Sequence, residues 1–248
     1  MAEKIFDIHT HLGTSPSLGF NMTADELLDL MDRHAIEQAV AMPLDDAPGQ
    51  NPEANDYVAQ AVSQHPDRLV GFARIHPKDG KRAHDEFRRC IERLGMKGLK
   101  LHPLTTGIRV FQPLALELVE LAAQFGVPVY YHSGDDPSTQ PTMFELVVRE
   151  VPEATIILGH GGGAFFWRDA AELARRYKNV YLSTPGSVRI AHMSEAIEIA
   201  GADKILWGSD APAMHPAIEL AKLEAIDLPP DERRLIMYEN SRRLLALN

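Results

Sequence analysis

Cysteine is almost absent from this chain: Cys90 is the only one among 248 residues. That excludes an internal disulfide and any thiolate-rich metal cage. Positive charge is also short, with 25 Lys and Arg against 35 Asp and Glu and a formal net charge of −10. A polyanion-binding surface depends on a basic footprint, so nucleic acid is not an expected partner. No apolar run reaches the length of a bilayer span, and the opening MAEKIFDIHTH runs into a strand-like segment without a secretory apolar region. The expectation is a cytoplasmic protein without membrane association. Linker-like stretches and solenoid repeats are missing too, so residues 1–248 are expected to form a single domain.

What is present is an alternation of short apolar runs with longer helical ones. Hydrophobic residues make up 45% of the chain, enough for a large core. Strand candidates lie near 4–9, 36–42, 69–75, 97–102, 127–132, 154–159, 179–184 and 203–209. A helical stretch follows each, beginning with TADELLDLMDRHA, where Thr23 is placed to cap. Eight such pairs fit an α/β fold of the (β/α)8 TIM-barrel type, and DERRLIMYENSRRLLAL adds an extra C-terminal helical segment.

Six of the 11 histidines stand at the downstream ends of these runs: His9 and His11 in KIFDIHTH, then His76, His102, His132 and His160. Asp210 ends the last run, KILWGSD. In a parallel barrel all strand C-termini open on one face, so these side chains are expected to converge. Imidazole nitrogen and carboxylate oxygen suit zinc and similar divalent ions. A His-x-His pair alone is weak, since about half a match arises by chance in such a chain, but its context is not. Asp7, His9 and His11 share one parity and are expected to point into the barrel, with Phe6 and Ile8 facing the helices. His9, His11, His132 and Asp210 are the candidate ligands, with Asp7 supporting them from behind.

His160 precedes three glycines and is a candidate to polarise substrate or shuttle a proton; a tight turn is the plainer reading of the glycine run. His76 and His102 precede proline and act as turn punctuation or as substrate contacts, His102 being the better contact. Lys100 shares its parity, either paired in the core or carboxylated to bridge two ions. Arg74, Arg109 and Arg189 are candidates to bind a substrate carboxylate, or surface ion pairs.

Together IFDIHTH, GLKLHP, YYHSG, ILGHGGG, ILWGSDAP and YENSRRLL resemble the amidohydrolase superfamily, specifically its amidohydrolase-related branch, over the whole chain. The resemblance implies a distorted eight-stranded barrel and a metal held by His9, His11, His132 and Asp210, with His160 beside it. It also suggests a homodimer. The leading expectation is then a metal-dependent hydrolase with one Zn2+, or another divalent ion, per chain, cleaving a small ester, lactone or amide-like substrate. Asp210 and His160 would be its catalytic pair. A non-oxidative decarboxylase of an aromatic or unsaturated acid is the alternative, and a barrel that binds a small acid without turnover is the non-enzymatic one.

Overall fold

The computed structural model describes residues 4–16, 18–45, 48–134, 136–187 and 189–247. The sequence also suggests the loops SPSLGFNM, LDDAPGQN and TTGIRVFQ, after the first, second and fourth expected strands, as pocket walls; Ser17, Asp46 and Ala47, in the first two of these wall loops, lie outside the described residues.

Among the described residues, ten strands form two hydrogen-bonded sheets. The first contains β1 (Ile5–Ser15), β2 (Phe20–Met22), β3 (Ile36–Pro43) and β4 (Leu69–Gly71). The second contains β5 (Ala73–Arg74), β6 (Leu99–Leu101), β7 (Val129–His132), β8 (Ile156–Gly159), β9 (Val180–Ser183) and β10 (Ile205–Leu206). All pairings are parallel except β1 with β2.

Backbone bonds cross both seams. Phe72 donates to Ala41 on one side, and Lys97 donates to Gly71 and Ala73 to Gly98 on the other, so β4 and β5 act as one third strand. At the opposite seam Ile8 donates to Trp207, Asp210 to His9 at 2.7 Å and His11 to Ala211 at 2.8 Å. The cyclic order of a (β/α)8 barrel results, and the short pieces make it a distorted one.

The expected helices are present. In chain order they are α1 (Ala24–Arg33), α2 (Asn51–Gln64), α3 (Lys81–Glu92), α4 (Pro103–Thr106), α5 (Pro113–Phe125), α6 (Pro141–Glu150), α7 (Trp167–Arg176), α8 (Ile190–Ala200) and α9 (Pro216–Glu224), followed by the C-terminal helical segment. Thr23 caps α1 through a reciprocal pair with Glu26. His76, His102 and His215, each followed by proline, accept the amides of Lys78, Thr105 and Ala217 through Nδ1. At these three positions histidine-proline is therefore N-cap punctuation, whereas His65, also before a proline, ends a helix. Two expectations need correction. Half of the first wall loop is strand, because β2 folds back on the extended end of β1. Phe6 and Ile8 do not face the helices: they pack with Val40, Met42, Val70, Phe72, Tyr130, Ile157 and Leu206 in the barrel interior. A register break between Asp7 and Thr10 resets the alternation, which is how His9 and His11 also reach the cavity.

The C-terminal segment closes the bottom of that interior with Leu245. Asn240 fixes it, donating to the carbonyls of Ala202 and Ile205, both at 2.8 Å. Among the described residues no helix is long and apolar enough to cross a membrane.

Asp7 secures the closing seam. Its Oδ1 accepts the amides of His9 at 3.0 Å and Ser209 at 2.9 Å, while Oδ2 is buried without a hydrogen-bond partner. Burial raises its pKa from 3.8 to about 7, against the pull of those bonds. Between these values the folded chain keeps a proton that the unfolded chain has released, so stability falls as pH rises through the window. In chelator-treated protein, urea unfolding from pH 4 to 8 is expected to show a loss on the order of 3–4 kcal/mol from this group. The decline ends near pH 7 and is missing in Asp7→Asn; an equal slope in both proteins would refute it.

Candidate metal centre and active site

The strand ends converge as the histidine spacing requires. An open cavity of about 1110 Å³ is lined at its base by His9, His11, Arg74, Lys100, His102, His132, His160 and Asp210. Leu18 and Phe20 of the β1–β2 hairpin, with Leu44, Leu104 and Met214 from the segments after β3, β6 and β10, make the apolar wall.

His9 Nε2 and His11 Nε2 are 3.0 Å apart, and Asp210 Oδ1 lies 3.2 and 3.3 Å from them. Donor atoms of His9, His160 and Asp210 all lie within 4.8 Å of one another. His132 stands beside this group, its Nδ1 3.0 Å from His160 Nε2 and its ring stacked on His102 with centroids 4.0 Å apart. His160, expected beside the metal, thus belongs to the compact donor group.

The hydrogen bonds fix which nitrogen is bare. A carbonyl can only accept, so His11 Nδ1 donates to Pro43 at 3.2 Å and His160 Nδ1 donates to Pro185 at 3.0 Å. In the neutral rings both Nε2 atoms then carry lone pairs facing the cavity. Burial lowers the pKa of His9, His11 and His102, keeping these rings neutral. Asp210 shows the opposite balance. Burial alone would raise it, but its contact with His11 and the nearby positive charge of Lys100 outweigh that and hold it as a carboxylate. Neutral imidazoles with converging lone pairs and an ionised carboxylate are the donor set a divalent cation requires, and the residues fit such an ion.

Tyr130 is a participant the sequence reasoning missed. Its hydroxyl touches His9 Nδ1 at 2.7 Å and Ser183 Oγ. Burial raises its pKa, so the proton stays on. The hydroxyl can donate to His9 or accept from it while donating to Ser183, so either tautomer of His9 has a partner. The available signal was parity: Tyr130 stands two before His132 on β7.

Arg74 is buried at the cavity, its Nη1 donating to Pro43 at 3.2 Å and Leu44 at 2.7 Å. Lys100 is also buried, Nζ lying 3.4 Å from His9 Nε2 and 4.5 Å from the Tyr130 ring centre. Arg109 and Arg189 are exposed and are not among the cavity-lining residues. Both sit in connecting segments beyond the strand ends, so a sequence position after a strand did not bring their side chains inward. His76 is buried but serves as a cap outside the lining.

Backbone conformation marks two of the same residues. His160 and Asp210 hold φ of +63° and +60°, which non-glycine residues seldom adopt and which concentrates at functional sites. The glycine run after His160 forms a tight turn into α7. Gly134 packs directly on it: a Cβ there would lie 2.1 Å from the Gly162 carbonyl carbon.

Comparison with known proteins gives a consistent picture. The gamma-resorcylate decarboxylase of Polaromonas sp. is 25% identical over 285 residues, covering 90% of this chain and 87% of that protein. The crystal structure of a 2,6-dihydroxybenzoate decarboxylase from Rhizobium superimposes with a TM-score of 0.79 at 21% identity, over 99% of this chain and 98% of the other. That of a dihydroxybenzoic acid decarboxylase from Polaromonas sp. JS666, with bound manganese and the inhibitor 2-nitroresorcinol, gives a TM-score of 0.77 at 21% identity over 100% and 98%. These names overturn the leading expectation of a hydrolase, since the matched proteins are decarboxylases. Zinc is likewise not singled out, because a homologous structure holds manganese. The sequence model of the family described as Amidohydrolase matches residues 6–247, and this chain belongs to that family.

Proposed function

We propose that the chain is a divalent-metal-dependent, non-oxidative decarboxylase (carboxy-lyase) of a small aromatic or unsaturated acid. The observation that carries this reading is the cluster of His9, His11 and His160, with the Nε2 of His11 and of His160 bare, around an ionised Asp210 under a cavity with an apolar wall. Decarboxylases matched over nine-tenths of the chain support it.

His9, His11 and Asp210 would hold the ion, with His160 and His132 adjoining. Such an ion would supply the positive charge that binds a substrate carboxylate and stabilises negative charge as it develops. Arg74 and His102 border the same base and orient the acid from its other side. Leu18, Phe20, Leu44, Leu104 and Met214 cover its apolar body and exclude water.

The bond between carbon and carboxylate breaks with its electron pair left on carbon, CO2 departs, and one proton takes its place. Asp210 is the proton carrier. Since it is ionised in the free chain, it takes up the proton as substrate binds and then passes it to carbon. His160, held by Pro185 with its bare Nε2 toward the site, orients that transfer.

Two measurements test this. In D2O, a substrate acid is expected to release one equivalent of CO2 and give a product with deuterium at the former carboxyl carbon. Asp210→Asn lowers turnover on the order of 10²–10⁴-fold. Ester, lactone or amide cleavage without CO2 would refute the proposal. Elemental analysis of the purified chain is expected to give about one divalent ion, lost in His9→Ala and Asp210→Ala. A value near two would instead make Lys100 a carboxylated bridge, and none after reconstitution would remove the metal from the mechanism.

A further inference from the structure

The residue that directs His160 is not in the cavity. Pro185, whose carbonyl accepts the His160 Nδ1 proton, belongs to the loop between β9 and the next helix. The next residue, Gly186, lies against the ring. With φ of +85°, a Cβ on it would come within 2.7 Å of His160 Nδ1. His160 and this loop are therefore in close contact, and a shift of one displaces the other.

A buried ion pair on α9 grips the same loop. The Glu219 side chain is 1% exposed and that of Lys222 16%. Lys222 Nζ donates to Glu219 Oε1 at 2.6 Å and to the carbonyl of Ser187 at 2.9 Å. Burial raises the Glu219 pKa, while Lys222 and the Gly186 backbone amide oppose the rise. Glu219 Oε2 is buried without a hydrogen-bond partner. Charges placed this way are poor stabilisers, because desolvation offsets their attraction and an apolar pair of similar volume is commonly as stable or more so. Stability alone thus gives no reason for a carboxylate at this point, whereas the loop contacts do.

We propose that Glu219 and Lys222 are positioning residues. Together they clamp the Pro185–Ser187 loop, and through Pro185 they keep His160 in the Nδ1–H form with its Nε2 bare toward the site. The effect on turnover rests on the carboxy-lyase reading above; the effect on His160 does not.

The test is histidine-selective 15N NMR of the purified full chain, with and without added Zn2+, with the His160 signal assigned by its disappearance in His160→Gln. The parent protein is expected to show His160 as the Nδ1–H tautomer. In Glu219→Leu/Lys222→Met the signal moves to a tautomer mixture, while the melting temperature stays within a few degrees. On an acid that releases CO2, kcat falls about 10- to 100-fold with KM little changed. Lys222→Arg, which keeps a cation on Ser187, retains the parent signal. If the double variant does not fold, Lys222→Met alone is expected to reproduce the tautomer change. An unchanged His160 signal in the folded variant overturns the proposal. A moved signal in a chain that decarboxylates nothing supports the clamp and refutes only the carboxy-lyase reading.

Discussion

The structure depends on the seam between the first strand and the last. Asp210 donates its amide to the His9 carbonyl at 2.7 Å, and His11 donates to Ala211, joining residues some two hundred positions apart. Parallel pairing alone would leave β1 and β10 at opposite edges of an open sheet. Pairing across the seam puts two imidazoles and a carboxylate within about 3 Å of one another. Asp7 reinforces it with two amide bonds at the expense of a buried, half-satisfied carboxyl. The donor cluster and the closure of the barrel are thus one feature.

Electrostatics follows from that closure. Burial disfavours the charged forms of His9 and His11 and keeps them neutral, whereas Asp210, beside His11 and the positive charge of Lys100, is held as a carboxylate. The backbone carbonyls of Pro43 and Pro185 then choose the tautomers. An ion entering such a site meets lone pairs already oriented, with little reorganisation left to do. His160 and Asp210, the two residues assigned to proton handling, are also two whose backbone is held in an uncommon conformation.

The same site explains why hydrolysis and decarboxylation are hard to separate by ligand set alone. Both need a cation to hold an oxygen anion and a carboxylate to carry a proton, and His9, His11 and Asp210 serve either. The difference lies in whether the proton ends on a leaving oxygen or on carbon. Cavity walls and the path of the proton decide that, and relatives matched along most of the chain favour carbon.

The sequence by itself determined the barrel, the strand ends that face the cavity and which histidines and aspartate gather there. Short apolar runs each ending in His or Asp carry that information locally, because strand polarity alone sends every run's end to one face. It did not determine the inward turn of His9 and His11, which comes from a register break that simple alternation cannot show. Nor did it reveal Tyr130 behind His9, the outward placement of Arg109 and Arg189, or the pair on α9 behind His160. Each depends on which strands and loops become neighbours after closure. Tertiary packing alone supplies those neighbours, and a side chain's partner, tautomer and charge are set by what it faces.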